Sequence, residues 1–254
     1  LITAKKKLFL SGTPFLNRPN ELFPILHQIN PIQFSSYNAF IKRYCGAHLV
    51  TIKGNTFYKL EGTTNLDELK LLLEPIMIRR TKQDVLKELP ELSRSMIMLD
   101  MKGMREYRKA EQDLRGWLWS HGKNNKVTAL TKLNYLRQIV GKGKIDHAVE
   151  FTTNLLDSDP EGKVVVYAHH KEVVQGLVEG LQDYGVDTIV GDDSLTKRQA
   201  TVDSFQNKAL PRVLVISSAG GEGIDLYRAD NLVVVEQAWN PGKQEQVEGR
   251  LHRI

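Results

Sequence analysis

The residues best placed to do chemistry lie at the end of the chain. In GKQEQVEGRLHRI, Gln246, Arg250 and Arg253 fall at i, i+4 and i+7, so one carboxamide and two guanidiniums share a helix face. A guanidinium is planar, forked and permanently charged. Two of them, aimed past the carboxyl ends of parallel strands, suit an anionic, phosphate-bearing ligand. Just upstream, SAGGEGIDL carries Gly220, Gly221 and Gly223, which allow positive φ and a close backbone approach to a ligand. Taken singly, a glycine-rich loop is commonly a turn, and arginines on a helix face are commonly solvated. The order and spacing of the pieces carry the specificity.

The elements that must position these residues are legible around them. Arg212 to Ser217 (RVLVIS) and Leu232 to Glu236 (LVVVE) are short, mostly β-branched runs of the kind that form buried parallel strands. Asn240-Pro241-Gly242 breaks the chain before the arginine helix. Further upstream, KIDHAVEFTTNLLDS reads as a helix, KVVVYAHH as a strand, KEVVQGLVEGLQDYG as a helix ended by Gly185, VDTIVGD as a strand, and LTKRQATVDSFQ as a helix capped by Ser194. Strict alternation predicts an α/β fold with a parallel sheet covered on both faces. Near the start, KLFLS (Lys7–Ser11) reads as a buried strand ending in SGTP, and Asn20 as the cap of NELFPILHQIN. FSSYNAFIKRYC places Phe34, Phe40, Tyr44 and Cys45 at helical spacing. VTIKGNTFYKLEG predicts a hairpin turning at Gly54-Asn55. NLDELKLLLEP predicts an amphipathic helix with Leu66, Leu69 and Leu73 on one side, interrupted at Pro75. SMIMLDM alternates like a strand. Two helices follow, broken around Gly122 to Asn125, with Trp117, Leu118, Leu130, Leu133 and Leu136 as core candidates.

Composition sets limits. The 254 residues, 41% hydrophobic, allow a proper core, and a net charge of +5 is compatible with a nucleic-acid partner without establishing one. Cys45 is the only cysteine, which excludes an internal disulfide and a multi-cysteine metal site. His169 and His170 are adjacent, point to different sides and have no visible third ligand, so no metal site is expected. No apolar run approaches the roughly 20 residues that span a bilayer. The expected setting is intracellular: the nucleus if the source is eukaryotic, the cytoplasm if it is bacterial or viral. Leu1 is not an initiator methionine and the last helical pattern runs to Ile254, so the chain reads as a fragment.

AGGEGIDL, the tripeptide Trp239-Asn240-Pro241 and QVEGRLHRI resemble the last two motifs of superfamily 2 helicase-like ATPases, in particular the SWI/SNF family. SGTP resembles the motif that couples the two lobes of those enzymes, and IMIRRTKQDVLKELP resembles a segment of their helical insertion. YAHHKEVV is similar to the corresponding junction in the annealing-helicase branch. The resemblance implies the end of a first RecA-like lobe at 1–30, a helical insertion at 31–93, a second insertion and linker at 94–141, and a second RecA-like lobe, the helicase C-terminal domain, at 142–254. It implies ATP and magnesium, the latter held mainly by the first lobe, and double-stranded or forked DNA as partner. Arg250 and Arg253 match the paired arginines that reach the γ-phosphate, with Gln246 positioning them. Gly223 and Asp225 match the loop at the nucleotide sugar. Ser217 and Ser218 match a contact to DNA phosphate, as do Gly191 and Asp192. Ser11, Gly12 and Thr13 match the interlobe coupling motif. Two departures stand out: Asp225 where the family often has Asn, and Glu236 where many relatives have Asp. Trp239 is expected to pack its own turn, and Arg79 and Arg80 to brace the insertion.

No G-x-x-x-x-G-K-[ST] phosphate loop and no DEAH-type motif occurs in the chain. In the family both precede SGTP, so they are expected upstream of Leu1, and this chain alone is not expected to hydrolyse ATP. A non-catalytic DNA-binding or interaction module is one alternative. An RNA helicase is another, disfavoured by the long helical stretch between SGTP and the second lobe.

Overall fold

The computed structural model describes residues 4, 6–12, 14–15, 18–52, 54–100, 104–121, 126–218 and 223–253, and of residues 83, 117–121 and 126–128 the backbone alone. It divides into two compact units, Leu1–Glu88 with Asn240–Gly242, and Leu89–Trp239 with Lys243–Ile254.

In the first unit a 3-10 turn at Pro19–Leu22 leads into α1 (Phe23–Ile29), followed by α2 (Tyr37–Tyr44), β1 (His48–Ile52), β2 (Asn55–Lys59), α3 (Leu66–Leu73) and the short α4 (Lys82–Val85). Ser36 starts α2, its Oγ accepting the Ala39 N–H at 3.3 Å. Phe34, Phe40, Tyr44 and Cys45 are buried as expected, with Leu26, Leu69 and Leu73. Several local expectations shift. Asn20 lies inside the 3-10 turn rather than at a cap, because Pro19 supplies the fixed φ that starts it. α3 stops at Leu73: Glu74 keeps helical geometry at φ −48° and ψ −45°, but Pro75 has no N–H to carry the ladder further, and the buried side of the helix is Leu69 and Leu73 while Leu66 is exposed. In the hairpin Ile52 pairs with Asn55, so the turn falls one residue earlier, with Gly54 at φ +80°. Lys7–Ser11 is not a strand: Leu8 and Leu10 are 82% and 87% exposed. A strand needs a neighbour for its backbone groups, and none of the described residues supplies one.

The second unit opens with the irregular segment 89–100, which also forms no ladder, and continues with α5 (Met104–His121), α6 (Lys126–Gly143) and α7 (Ile145–Ser158). Of the core candidates on α5 and α6, Leu136 is buried, Leu130 and Leu133 are exposed, and the side chains of Trp117 and Leu118 lie outside the described residues. Then β3 (Val164–Ala168), α8 (Lys171–Leu181), β4 (Val186–Ile189), α9 (Leu195–Asn207), β5 (Val213–Ser217), β6 (Asn231–Val234) and α10 (Pro241–Leu251) alternate. The four strands are parallel in the order β4-β5-β3-β6. β3 and β5, at the centre, are buried at every position, which is why they read as unbroken apolar runs.

Strand parity sorts the two faces. Val164, Val166, Val213 and Val215 meet Leu156, Val173 and Leu177 of α7 and α8. Val165, Tyr167, Leu214 and Ile216 meet Phe205 of α9, Leu226 and Val247 of α10. α8 approaches α7 closely at Gly180, where an added Cβ would stand 2.5 Å from Val149 Cγ2. Ser194 caps α9 through Lys197 N–H, and Gly185, at φ +66°, turns the chain after α8 into β4.

Candidate functional site

Because the strands run the same way, β3, β5 and β6 deliver their last residues to one end of the sheet. His169 and His170 leave β3 there, Ser218 leaves β5, and Glu236 leaves β6. The Glu236 carboxylate is buried. Its Oε2 accepts the backbone N–H groups of His169 and His170 at 2.7 and 2.9 Å, and its Oε1 faces His170 Nδ1 at 2.6 Å. A carboxylate only accepts, so His170 Nδ1 carries a proton. His170 is also the N-cap residue of α8, which places the negative charge at the positive end of that helix. The other ring nitrogen of His170 is 3.3 Å from Asn134 Oδ1 on α6. His169 Nδ1 lies 3.1 Å from Ser218 Oγ. Burial, with help from His170 and Arg137, pushes the His169 imidazole below its ordinary value against the pull of Glu236, so the ring is neutral at pH 7.

The remaining residues at this end are more exposed. Ser217 is buried as the last position of β5, which leaves Ser218 as the more accessible hydroxyl. Gly191 and Asp192 follow β4 on the surface, where the Gly191 carbonyl accepts from Arg198 at 2.9 Å and Asp192 pairs with Lys171 at 2.7 Å. Trp239 does not bury itself in its turn. It is 58% exposed, with the Arg137 guanidinium 4.4 Å from its ring centroid, and Arg137 also donates to the Gln237 carbonyl.

α10 begins at this end and runs back along the sheet, with Val247 in the core. Its arginines therefore lie toward the opposite, amino end of the strands, not past the carboxyl ends. A chain of contacts fixes this. Lys163, immediately before β3, donates its ammonium to the carbonyls of Phe205, Lys208 and Pro211 at 2.5, 2.6 and 2.9 Å, which holds the end of α9 at the amino end of the sheet. Gln206, on that end of α9, donates to the Asp225 carbonyl at 2.8 Å and accepts the Arg228 N–H at 3.1 Å. The Leu226 N–H in turn donates to the Arg250 carbonyl at 2.9 Å.

The expected helix face is cut short by the end of α10 at Leu251, and Arg253 lies just beyond it. Arg253 Nη1 pairs with Asp225 Oδ1 at 2.5 Å. Arg250 Nε is buried and finds no hydrogen-bond partner among the described residues. Gln246, half-buried, lies one helical turn before Arg250. Gly223 takes φ +75° with open space where a Cβ would point, so its backbone can be approached. Gly220, Gly221 and Thr13 lie outside the described residues. Ser11 and Gly12 are exposed residues of the first unit.

Sequence reading missed what braces the arginine helix. Arg94 of the irregular segment forks onto Glu248 Oε2, at 3.1 Å from Nε and 2.6 Å from Nη2, and the Pro90 carbonyl lies 2.6 Å from His252 Nε2. The segment thus straps across α10 beside Arg250 and Arg253. Partners 154 residues apart leave no local signal.

The family described as the SNF2-related domain matches residues 2–143, and the helicase conserved C-terminal domain matches residues 144–254. The chain belongs to the SNF2-related family. This SNF2-related chain is 36% identical over its whole length to the SWI/SNF-related matrix-associated actin-dependent regulator of chromatin subfamily A-like protein 1 of Xenopus tropicalis, covering 27% of that protein. It is 31% identical, over 99% of its length, to the DNA annealing helicase and endonuclease ZRANB3 of Bos taurus, covering 24% of it. The chain thus spans about a quarter of the length of these relatives. The Sulfolobus solfataricus SWI2/SNF2 ATPase core shares the fold, with a TM-score of 0.56 at 22% identity, 92% of this chain and 52% of that one being covered. The same core in complex with double-stranded DNA also gives 0.56, at 23% identity over the same shares. The parallel sheet is accordingly a RecA-like lobe of SNF2 type. No described helix is long and apolar enough to cross a membrane.

Proposed function

We propose that this SNF2-related chain is part of an ATP-dependent double-stranded DNA translocase that remodels or reanneals DNA. The observation that carries the reading is the placement of α10. The chain enters it from β6 and Glu236, which holds His169 beside Ser218, and at its far end the Arg250 carbonyl accepts from Leu226 while Arg253, just beyond, pairs with Asp225. A rigid helix joining a hydroxyl-bearing face to a guanidinium face is what coupling nucleotide state to strand contact requires.

At the arginine end, the buried, unpartnered Nε of Arg250 is a donor that an anionic oxygen would satisfy. Arg253 already binds one carboxylate oxygen and can exchange it for a phosphate oxygen of like geometry. These residues fit the triphosphate of ATP and do not fit a cation. Magnesium, which would neutralise phosphate charge, belongs with the phosphate loop and acidic motif expected elsewhere in the protein. Gln246 positions the arginines, and Gly223 and Asp225 face the nucleotide sugar. At the other end Ser218, with Ser217, Gly191 and Asp192, meets the DNA backbone without reading sequence. Ser11, Gly12 and Thr13 transmit closure between lobes. Forked DNA is included among the proposed substrates; a relative named as a DNA annealing helicase supports reannealing, and relatives named for chromatin support a nuclear setting in eukaryotes.

The test is ATP turnover by the full-length protein with single-stranded, duplex and forked DNA and with RNA, alongside Arg253→Ala. Duplex or forked DNA should stimulate most, and the substitution should abolish the stimulation. Stronger stimulation by RNA would replace the reading with an RNA helicase. Salt-sensitive DNA binding without turnover would replace it with a binding module.

A further inference from the structure

The adjacent histidines and Glu236 meet in one cluster. We infer that Glu236, His170 and His169 are positioning residues that orient the Ser218 hydroxyl toward a nucleic-acid phosphate. The inference rests on the reading of this end of the sheet as the DNA-contacting face.

Glu236 does three things from a side chain that is 5% exposed. It fixes the backbone of both histidines, it holds the His170 ring through Nδ1, and it sits at the N-terminus of α8. It has no slack, because an added Cβ on Gly141 of α6 would stand 2.5 Å from its Oε1. The His170 ring then bridges to Asn134, so β6, α8 and α6 are pinned at one point. With its backbone N–H held, His169 leaves β3 in the one direction that puts Nδ1 3.1 Å from Ser218 Oγ.

That contact decides what Ser218 can offer. A hydroxyl has one proton. If His169 Nδ1–H donates to Oγ, the Ser218 proton can turn from the neighbouring Tyr167 oxygen to a phosphate oxygen, and each bond of the chain polarises the next. A neutral ring suffices, so the device works at physiological pH without adding a charge. The longer side chain of Glu236 matters for the same reason: it reaches two successive N–H groups and one ring nitrogen together, which fixes a direction rather than merely capping a helix.

The test uses the full-length protein and a mixed-sequence duplex oligonucleotide, reading the DNA concentration that half-saturates ATP turnover and the turnover at saturation. His169→Ala is expected to raise half-saturation about five- to tenfold, the net effect of one ordinary hydrogen bond, with a smaller effect on kcat. Ser218→Ala should do the same, and the double variant no more than either alone. His169→Asn, whose amide can stand where Nδ1–H stood, should recover most of the loss, as a purely structural histidine would not. Additive effects in the double variant, or His169→Asn no better than His169→Ala, would overturn the inference. So would His169 variants matching a wild type that responds to DNA, with the function reading untouched. A wild type indifferent to duplex DNA overturns that reading and this inference together.

Discussion

Arg250 and Arg253 are not equivalent. Arg253 is held by Asp225, while Arg250 keeps a buried Nε with no partner among the described residues, so in the proposed function Arg250 is the preformed anion donor and Arg253 must exchange a carboxylate. The spacing of Gln246, Arg250 and Arg253 was readable because helical periodicity is local. The Asp225 pair and the Arg94 brace on Glu248 were not, because neither partner announces the other. Asp193, by contrast, finds its partners three and four residues away. It follows the Gly191-Asp192 surface turn, accepts the Val190 N–H at 2.7 Å and pairs with Lys197 at 2.5 Å, with its side chain 7% exposed. Burial would raise its pKa, but the Lys197 and Val190 bonds outweigh that and hold the carboxyl below its ordinary value. A depressed folded-state pKa contributes stability that is present above the unfolded value, about 3.9, and lost as pH falls through the folded one. Asp193→Asn should therefore be less stable than wild type near neutrality, with denaturation midpoints converging in acid. A constant gap across that range would show that the charge is irrelevant.

At the scale of elements, the strands of the second unit were legible because burial on both faces demands unbroken β-branched runs, and the alternation with helices then leaves few topologies. Lys7–Ser11 (KLFLS) is apolar at its centre but has no β-branched residue, and it is no strand, because composition cannot supply a neighbour. The direction of α10 was misread for a related reason. A helix following a parallel strand returns along the sheet, so its last turn ends far from where it began, and only the loop contacts reveal which residues meet it there. Lys163 anchors that region. One ammonium satisfies three carbonyls at the end of α9 and before β5, and its nitrogen lies over the Phe205 ring, 4.9 Å from the centroid. Lys163→Met keeps the apolar stem and abandons those carbonyls, and should destabilise the protein by about 3 kcal/mol in urea or guanidinium unfolding. A loss under about 0.5 kcal/mol would mean that water replaces the amine without cost.

For the whole molecule, α10 is the element proposed to link two faces of one RecA-like lobe, following the histidine–glutamate cluster in the chain and leading to the guanidiniums. The family was readable from the motifs at the chain's end, since they are contiguous. The strap that braces α10 and the cluster that orients Ser218 were not, since their members are scattered through the chain. The central claim is that Arg250 serves nucleotide turnover and not DNA contact. The measurement that tests it most directly is Arg250→Ala in the full-length protein, with ATP turnover at saturating duplex DNA and DNA affinity without nucleotide read side by side. Turnover should fall by about a thousandfold while affinity stays within about twofold. Turnover retained to within about tenfold, or affinity lost in step with it, would contradict the account.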